Sequence, residues 1–188
     1  MQIAPELVEA CRRGDAGAFE RFVRQTNRSI YTVVLRIVGN PDDAADVTQD
    51  VYIRIWRSIR GFRGDANIAT WVHRIATNAA LTHLKKRGRL AAPMEEEQMA
   101  ERLATVDDED QRLSAAEVER AVERLPDAYR PLIVLKDMYG MTCEEIAEQM
   151  GMTEGAVKVR LFRARRKLAE DLTQGGVVVP MRKKKVQP

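Results

Sequence analysis

The segment from Thr142 to Leu168 constrains the fold most, because it encodes a helix start, a small-residue crossing, a glycine turn and a second helix start in that order. Thr142-Cys143-Glu144-Glu145 has the capping-box pattern, in which the threonine hydroxyl accepts from the backbone of Glu145 while the Glu145 side chain reaches back. Ile146 and Met150 then face inward. Ala147 is small enough for a second helix to cross closely, and Gly151 stands where a tight turn calls for a left-handed residue. Thr153 caps the next helix, on which Val157, Leu161, Ala164 and Leu168 fall in one narrow arc at about 100° per residue and so pack inward. Lys158, Val159, Phe162, Arg163 and Arg166 point outward, with Arg160 at the edge of the buried arc. A helix of this width fits the major groove of DNA, and a Phe among cations suits a thymine methyl or a sugar beside phosphates. The plainer description is a helical hairpin whose basic face is solvated.

The rest of the chain is also helical in period. Glu6 to Arg13 and Ala16 to Val38 read as helices, with apolar Phe19, Phe22, Val23, Ile30, Val33, Val34 and Ile37 and a break at Gly14-Asp15. Gly39-Asn40-Pro41 stops the chain, and Asp42-Asp43 starts a third helix that runs to about Ile59. Gly61-Phe62-Arg63-Gly64-Asp65 reads as a loop. Ala69 to Lys86 is a fourth helix, ended by Lys85-Lys86-Arg87-Gly88-Arg89. Helical spacing returns from Ala115 to Leu125 and from Tyr129 to Tyr139, with Pro131 early in that helix. No segment alternates as a strand and no glycine-rich phosphate loop occurs. The expected fold is all-α, with two small helical domains.

Charge is sorted along the chain. Its formal net value is +3, but residues 90 to 112 hold eight acids against two bases, whereas residues 153 to 170 hold six bases against Glu154 and Glu170. With Pro93 and few large apolar residues, the acidic run reads as a flexible linker, in which Met94 to Leu103 can form a transient helix. The basic run reads as a surface for phosphates. Cys11 and Cys143 lack partners at disulfide or metal spacing, so each reads as a small buried apolar residue. No run is apolar enough for a signal peptide or a membrane span, which makes a cytoplasmic protein the expectation.

Two further surfaces stand out in the first domain. Val47, Val51, Ile55 and Ile59 make one apolar stripe on the third helix, while Gln49, Ile53 and Trp56 gather on its opposite side between Asp46, Asp50 and Arg57. An aromatic anchor in a polar rim marks a partner interface, unless Trp56 packs under the N-terminal helices. Residues 62 to 89 mix aromatic, amide and basic groups, Phe62, Arg63, Asn67, Trp71, His73, Arg74, Asn78, His83, Lys85, Lys86 and Arg87, a combination that suits unstacked bases. Trp71, Ile75, Asn78 and Thr82 share one face. His73 and His83 have no nucleophile or metal set beside them and read as structural, so no catalytic residue, metal site or cofactor is assigned.

These residues carry a family resemblance. Asp43-Ala44-Ala45-Asp46-Val47-Thr48-Gln49-Asp50-Val51-Tyr52-Ile53-Arg54-Ile55-Trp56, Phe62-Arg63-Gly64-Asp65 and Thr70-Trp71-Val72-His73-Arg74-Ile75-Ala76-Thr77-Asn78 closely resemble region two of extracytoplasmic-function sigma factors of the sigma-70 family. Leu125-Pro126, Tyr129-Arg130, Glu144-Glu145-Ile146-Ala147 and Gly155 to Arg165 resemble their region four. The resemblance runs in order over roughly residues 6 to 172. It implies a four-helix region-two domain at 1–89, an acidic linker at 90–113 and a helix-turn-helix region-four domain at 114–172; the basic tail at 173–188 extends beyond the match and reads either as a disordered solubilising segment or as one that attracts DNA nonspecifically.

The resemblance also implies a non-enzymatic initiation subunit that binds core RNA polymerase, including its beta subunit, and directs it to promoter DNA. Asp46, Gln49, Asp50, Ile53 and Trp56 would meet the clamp helices of the beta-prime subunit. Phe62, Arg63, Asn67, Trp71, Arg74, Asn78, Lys85 and Lys86 would capture and melt the minus-10 element. Lys158, Val159, Arg160, Phe162, Arg163, Arg165 and Arg166 would lie at or near the minus-35 groove, and the linker would thread toward the active-site and RNA-exit channels. Family members often carry Ser or Thr where Val159 stands, so the hydroxyl there is missing. An anti-sigma protein is the expected regulator.

Two other functions fit the residues less fully. A stand-alone helix-turn-helix regulator needs a dimer to read two half-sites, and no segment resembles a dimerisation helix. A nuclease needs acids anchored as a metal site, whereas here they cluster in the linker.

Overall fold

The computed structural model describes residues 3–64, 67–90 and 115–174. Most of the expected linker, its transient helix, and the tail beyond Gln174 lie outside the described residues. Those that are described form helices and turns and divide between two compact units.

The first unit holds α1 (Pro5–Arg12), α2 (Ala16–Val38), α3 (Pro41–Ser58) and α4 (Ile68–Lys86). Local chemistry sets each boundary. Asp15 caps α2 by accepting from the Ala18 N–H at 2.9 Å, and Gly39 ends it at φ 74, a left-handed conformation that suits glycine. Asn40 turns the chain at once into α3, its side chain accepting from the N–H groups of Asp42 and Asp43, both at 3.0 Å. Pro41 occupies the first turn, where the missing donor costs least. The third helix thus begins at Pro41, just before the acids expected to start it.

Helix α2 packs on α1, α3 and α4, and α3 packs on α4. Phe22, Ile30, Val33, Val34 and Ile37 of α2 meet Val47, Val51 and Ile55 of α3 and Val72, Ala76, Ala80 and Leu84 of α4 in the buried core. Thr26 is buried among them, its hydroxyl donating to the Phe22 carbonyl at 2.8 Å and lying 2.9 Å from the Tyr52 hydroxyl. Burial pushes the Tyr52 phenol up to about 12, against the opposing hydrogen bond from Thr26. Tyr52 therefore stays protonated and keeps this link between α2 and α3.

The second unit holds α5 (Ala115–Arg124), α6 (Arg130–Ile133), most of α7 (Cys143–Met150) and α8 (Glu154–Gln174). Pro126 makes the corner after α5. There the buried Arg130 guanidinium donates to the Asp127 carboxylate at 2.8 Å and the Leu125 carbonyl at 2.6 Å. The helix expected as one piece from Tyr129 to Tyr139 is instead a single α-turn followed by a wider one over Val134–Met138, where the Tyr139 N–H reaches the Val134 carbonyl at 3.1 Å. Apolar spacing cannot register that change, because Leu132, Ile133, Val134 and Leu135 are all buried. Helix α8 runs on to Gln174, so the tail expected to begin at 173 starts inside a helix.

Candidate partner and nucleic-acid interfaces

Helix α3 is apolar on two sides. Val47, Val51 and Ile55 face the core, whereas Ile53 and Trp56 are 49% and 37% exposed. Asp46, Gln49, Asp50 and Arg57 surround them in solvent. Trp56 is not buried under the N-terminal helices, but one side of its indole rests on Phe19 of α2, with ring centroids 4.7 Å apart and planes tilted by 58°. Phe19 had read as one apolar position among several on α2. In the structure it is half-buried and forms part of this face.

A second surface lies along α4 and the loop before it. Phe62 packs against Trp71 with centroids 5.3 Å apart, and Trp71, Ile75, Asn78 and Thr82 make a half-buried stripe, as their spacing predicts. Arg63, Arg74, Lys85 and Lys86 are exposed around it. Asn67 has a structural duty the sequence reading did not assign: its side-chain oxygen accepts from the Ala69 N–H at 2.8 Å and caps α4. An open cleft of about 900 Å³ separates α1 from this loop and is lined by Val8, Glu9, Gln25, Phe62, Arg63 and Asn67 among others. An unstacked base fits such a mixture of ring, amide and guanidinium. His73 lies half-buried, 3.4 Å from the Ser29 hydroxyl, and burial lowers its pKa; His83 lies 3.5 Å from Asp43.

The basic run that ends α4 is not one uniform patch. Arg87 and Arg89 turn toward the buried Asp43 carboxylate, while Lys85 and Lys86 are exposed to solvent.

The helix-turn-helix forms as its sequence predicts. The Thr142 N–H donates to the Glu145 carboxylate at 2.8 Å, and the Glu145 N–H donates to the Thr142 hydroxyl at 3.1 Å. Gly151 turns the chain at φ 66, and Thr153 caps α8 by accepting from the Ala156 N–H at 3.2 Å. Val157, Leu161, Ala164 and Leu168 are buried.

Around the outer arc the residues differ. Lys158 is exposed and paired with Glu154 at 2.9 Å, and that hydrogen bond raises its pKa. Phe162 is 43% exposed, and Arg166 reaches Glu170 at 2.9 Å. Arg163 and Arg160 are partly covered, and an Arg160 N–H lies 3.5 Å from the Met152 sulfur.

One expectation on α8 changes. Val159 is only 2% exposed and does not point outward. It lies about 200° around the helix from Val157, so the start of α8 is covered on a second side, which a reading with one buried stripe per helix misses. Arg165 grips Asp137 with two N–H groups, at 2.5 and 3.3 Å, and so braces α8 against the wide turn after α6. Of the two cysteines, Cys11 is fully buried and burial raises its thiol pKa, whereas Cys143 is half-buried at the start of α7. Among the described residues no group of three or more His, Cys, Asp or Glu is placed to hold a metal, and no helix is long and apolar enough to cross a membrane.

Residues 22–90 match the family model for sigma-70 region 2, and residues 115–168 match that for sigma-70 region 4. The chain is 32% identical over 173 residues to the RNA polymerase sigma-H factor of Pseudomonas aeruginosa, covering 85% of this chain and 89% of that one. It is 34% identical to the ECF RNA polymerase sigma-E factor of Haemophilus influenzae, with the same coverage. The ECF RNA polymerase sigma factor SigM of Mycobacterium tuberculosis is 35% identical, with 87% and 82% covered. Two solved structures share the fold. CnrH bound to the cytosolic domain of CnrY has a TM-score of 0.52 at 23% identity and covers 89% of this chain and 96% of its own. The sigma factor RpoE of Bartonella quintana, with the anti-sigma factor NepR, has a TM-score of 0.53 at 22% identity and covers 82% and 96%.

Proposed function

Because this chain belongs to the extracytoplasmic-function group of the sigma-70 family, we propose that it docks on core RNA polymerase through the Trp56 face of α3 and presents two DNA-reading surfaces to a promoter. As an alternative sigma factor its work is recognition and positioning. The observation that carries the docking reading is a helix that leaves Ile53 and the outer side of Trp56 exposed away from a complete core stripe. An anchor of that kind inside a rim of Asp46, Gln49 and Asp50 has the anatomy of an interface hot spot. The beta-prime clamp helices are the partner surface proposed for it, with the beta subunit as a further contact.

The half-buried stripe of Trp71 and Asn78, with Phe62, Arg63, Asn67, Arg74, Lys85 and Lys86, is assigned to capture of the melted minus-10 strand. Asn67 keeps its amide N–H₂ for a base while its oxygen caps α4. On α8, Lys158, Phe162, Arg163 and Arg166 are assigned to the minus-35 groove, with Arg160 and Arg165 holding the helix in shape. Val159 drops out of that surface because it is buried. Domains at 1–89 and 114–172, an acidic linker at 90–113 and a basic tail complete the proposal. The site of action is the cytoplasm, where core polymerase works, and an anti-sigma protein is the proposed regulator.

Transcription in vitro tests this reading. The purified chain should give promoter-specific transcripts only with core polymerase, and Trp56→Ala with Gln49→Ala should abolish core binding. A strong sequence-specific footprint by the chain alone, with no dependence on polymerase, would replace the proposal with a stand-alone regulator.

A further inference from the structure

Trp56 stands at the outer end of a ladder of rings. Phe22 is fully buried in α2. Phe19 stacks on it at 5.9 Å with planes 11° apart, and meets the Tyr52 ring edge-on at 6.5 Å and 83°. The indole of Trp56 rests on the other end of this set, 4.7 Å from Phe19. The Tyr52 hydroxyl is held by Thr26 at 2.9 Å, so the base of the ladder is pinned to the core while its last rung reaches solvent. Each rung contacts the next by ring geometry that favours defined orientations.

We propose that Phe19 is a positioning residue for core polymerase binding, holding the Trp56 indole in the orientation in which its outer side meets the partner. This rests on the reading of the α3 face as the polymerase interface. An exposed tryptophan unsupported by a neighbour samples several rotamers, and freezing it on binding subtracts from affinity; a ring already held in place avoids that loss. Phe19 suits the task because it is half-buried: one side belongs to the core and the other to the indole. Removing its flat ring while keeping apolar volume leaves Phe22 and the α2–α3 core in place.

The test uses the full chain and core polymerase, with Phe19→Leu, Phe19→Tyr, Trp56→Ala and the Phe19→Leu/Trp56→Ala pair, each checked for fold by far-ultraviolet circular dichroism. Phe19→Leu should weaken core binding about three- to tenfold and Phe19→Tyr by less than about twofold. On top of Trp56→Ala, Phe19→Leu should add no further loss. In a Trp71→Phe background, where Trp56 is the sole indole, Phe19→Leu should also raise quenching of its fluorescence by acrylamide. Unchanged core affinity, unchanged quenching, or a full additive loss in the Trp56→Ala background would overturn the inference. If Trp56→Ala itself leaves core binding intact, the polymerase reading of α3 fails and takes this role with it. That result differs from one in which Trp56→Ala weakens binding and Phe19→Leu does not.

Discussion

Asp43 and Arg87, 44 residues apart in sequence, meet as a carboxylate and a guanidinium fork: one N–H reaches Oδ2 at 3.0 Å, and a second terminal nitrogen lies 2.9 Å from Oδ1. Arg89 and His83 approach the same carboxylate at 3.5 Å. The pair joins the start of α3 to the end of α4, so the helix with the tryptophan anchor and the helix with the base-reading stripe are tied at one corner.

The Asp43 side chain is 8% exposed and that of Arg87 49%, so removing the acid frees cations into water rather than stranding them inside. Asp43→Ala should therefore cost about 1–2 kcal/mol, below the full penalty of a broken buried pair. A lower urea midpoint with unchanged slope checks it; a midpoint equal to that of the parent chain would show that the corner is held by apolar packing alone.

The capping box should be worth more than its exposure suggests, because both of its hydrogen bonds satisfy N–H groups that the helix cannot. Thr142→Ala should destabilise the second unit by about 1 kcal/mol, with Thr142→Ser retaining most of that. Thermal melts of the three chains, with amide exchange at Glu145 as the local probe, decide between this and a neutral surface change.

His73 gives the stability a pH dependence. Burial lowers its pKa in the folded chain below the ordinary 6.5. The unfolded chain then binds the proton more readily, so the stability is complete above that value and falls as the pH drops through 6.5 toward the folded pKa. Urea midpoints at about pH 7.5 and 5.5 should diverge more for the parent than for His73→Gln, given an ordinary histidine pKa of about 6.5 in the unfolded chain. Equal divergence would assign the pH effect to other groups.

The two thiols should label at different rates. Cys11 has no exposed surface and a raised pKa, while Cys143 is half-buried. Brief alkylation of the native chain followed by peptide mass mapping should modify Cys143 first and Cys11 only on unfolding. Early labelling at Cys11 would show that α1 opens from the first unit on that timescale.

What the sequence revealed follows the range of the forces involved. Ala16–Val38 was legible in full because it is bounded by Asp15 and Gly39, whose effects reach only a few residues. The capping box, the Gly151 turn and the Val157–Leu168 arc are local in the same sense, and so is the Ile53 and Trp56 face, set by helical period alone. Asp43 with Arg87, Arg165 with Asp137, and Phe19 with Trp56 were not legible as pairs. Each joins residues far apart in sequence, and periodicity carries no information about which element lies opposite. Val159 was misread for the same reason: the wheel of a single helix shows one apolar arc and is blind to cover on another side. The wide turn at Val134–Met138 was hidden by a run of apolar residues that are buried in any helical winding.

Helix α3 carries its core stripe and its outward anchor on the same 18 residues, Pro41–Ser58. Inserting or deleting one residue between Val47 and Ile53 would rotate everything beyond it by about 100° and drive Ile53 and Trp56 off their face. Its side chains can vary one at a time, but its length cannot drift. Over descent, α3 should therefore behave as a ruler of fixed size, with changes of chain length finding room in the loops and in the segments between the two units.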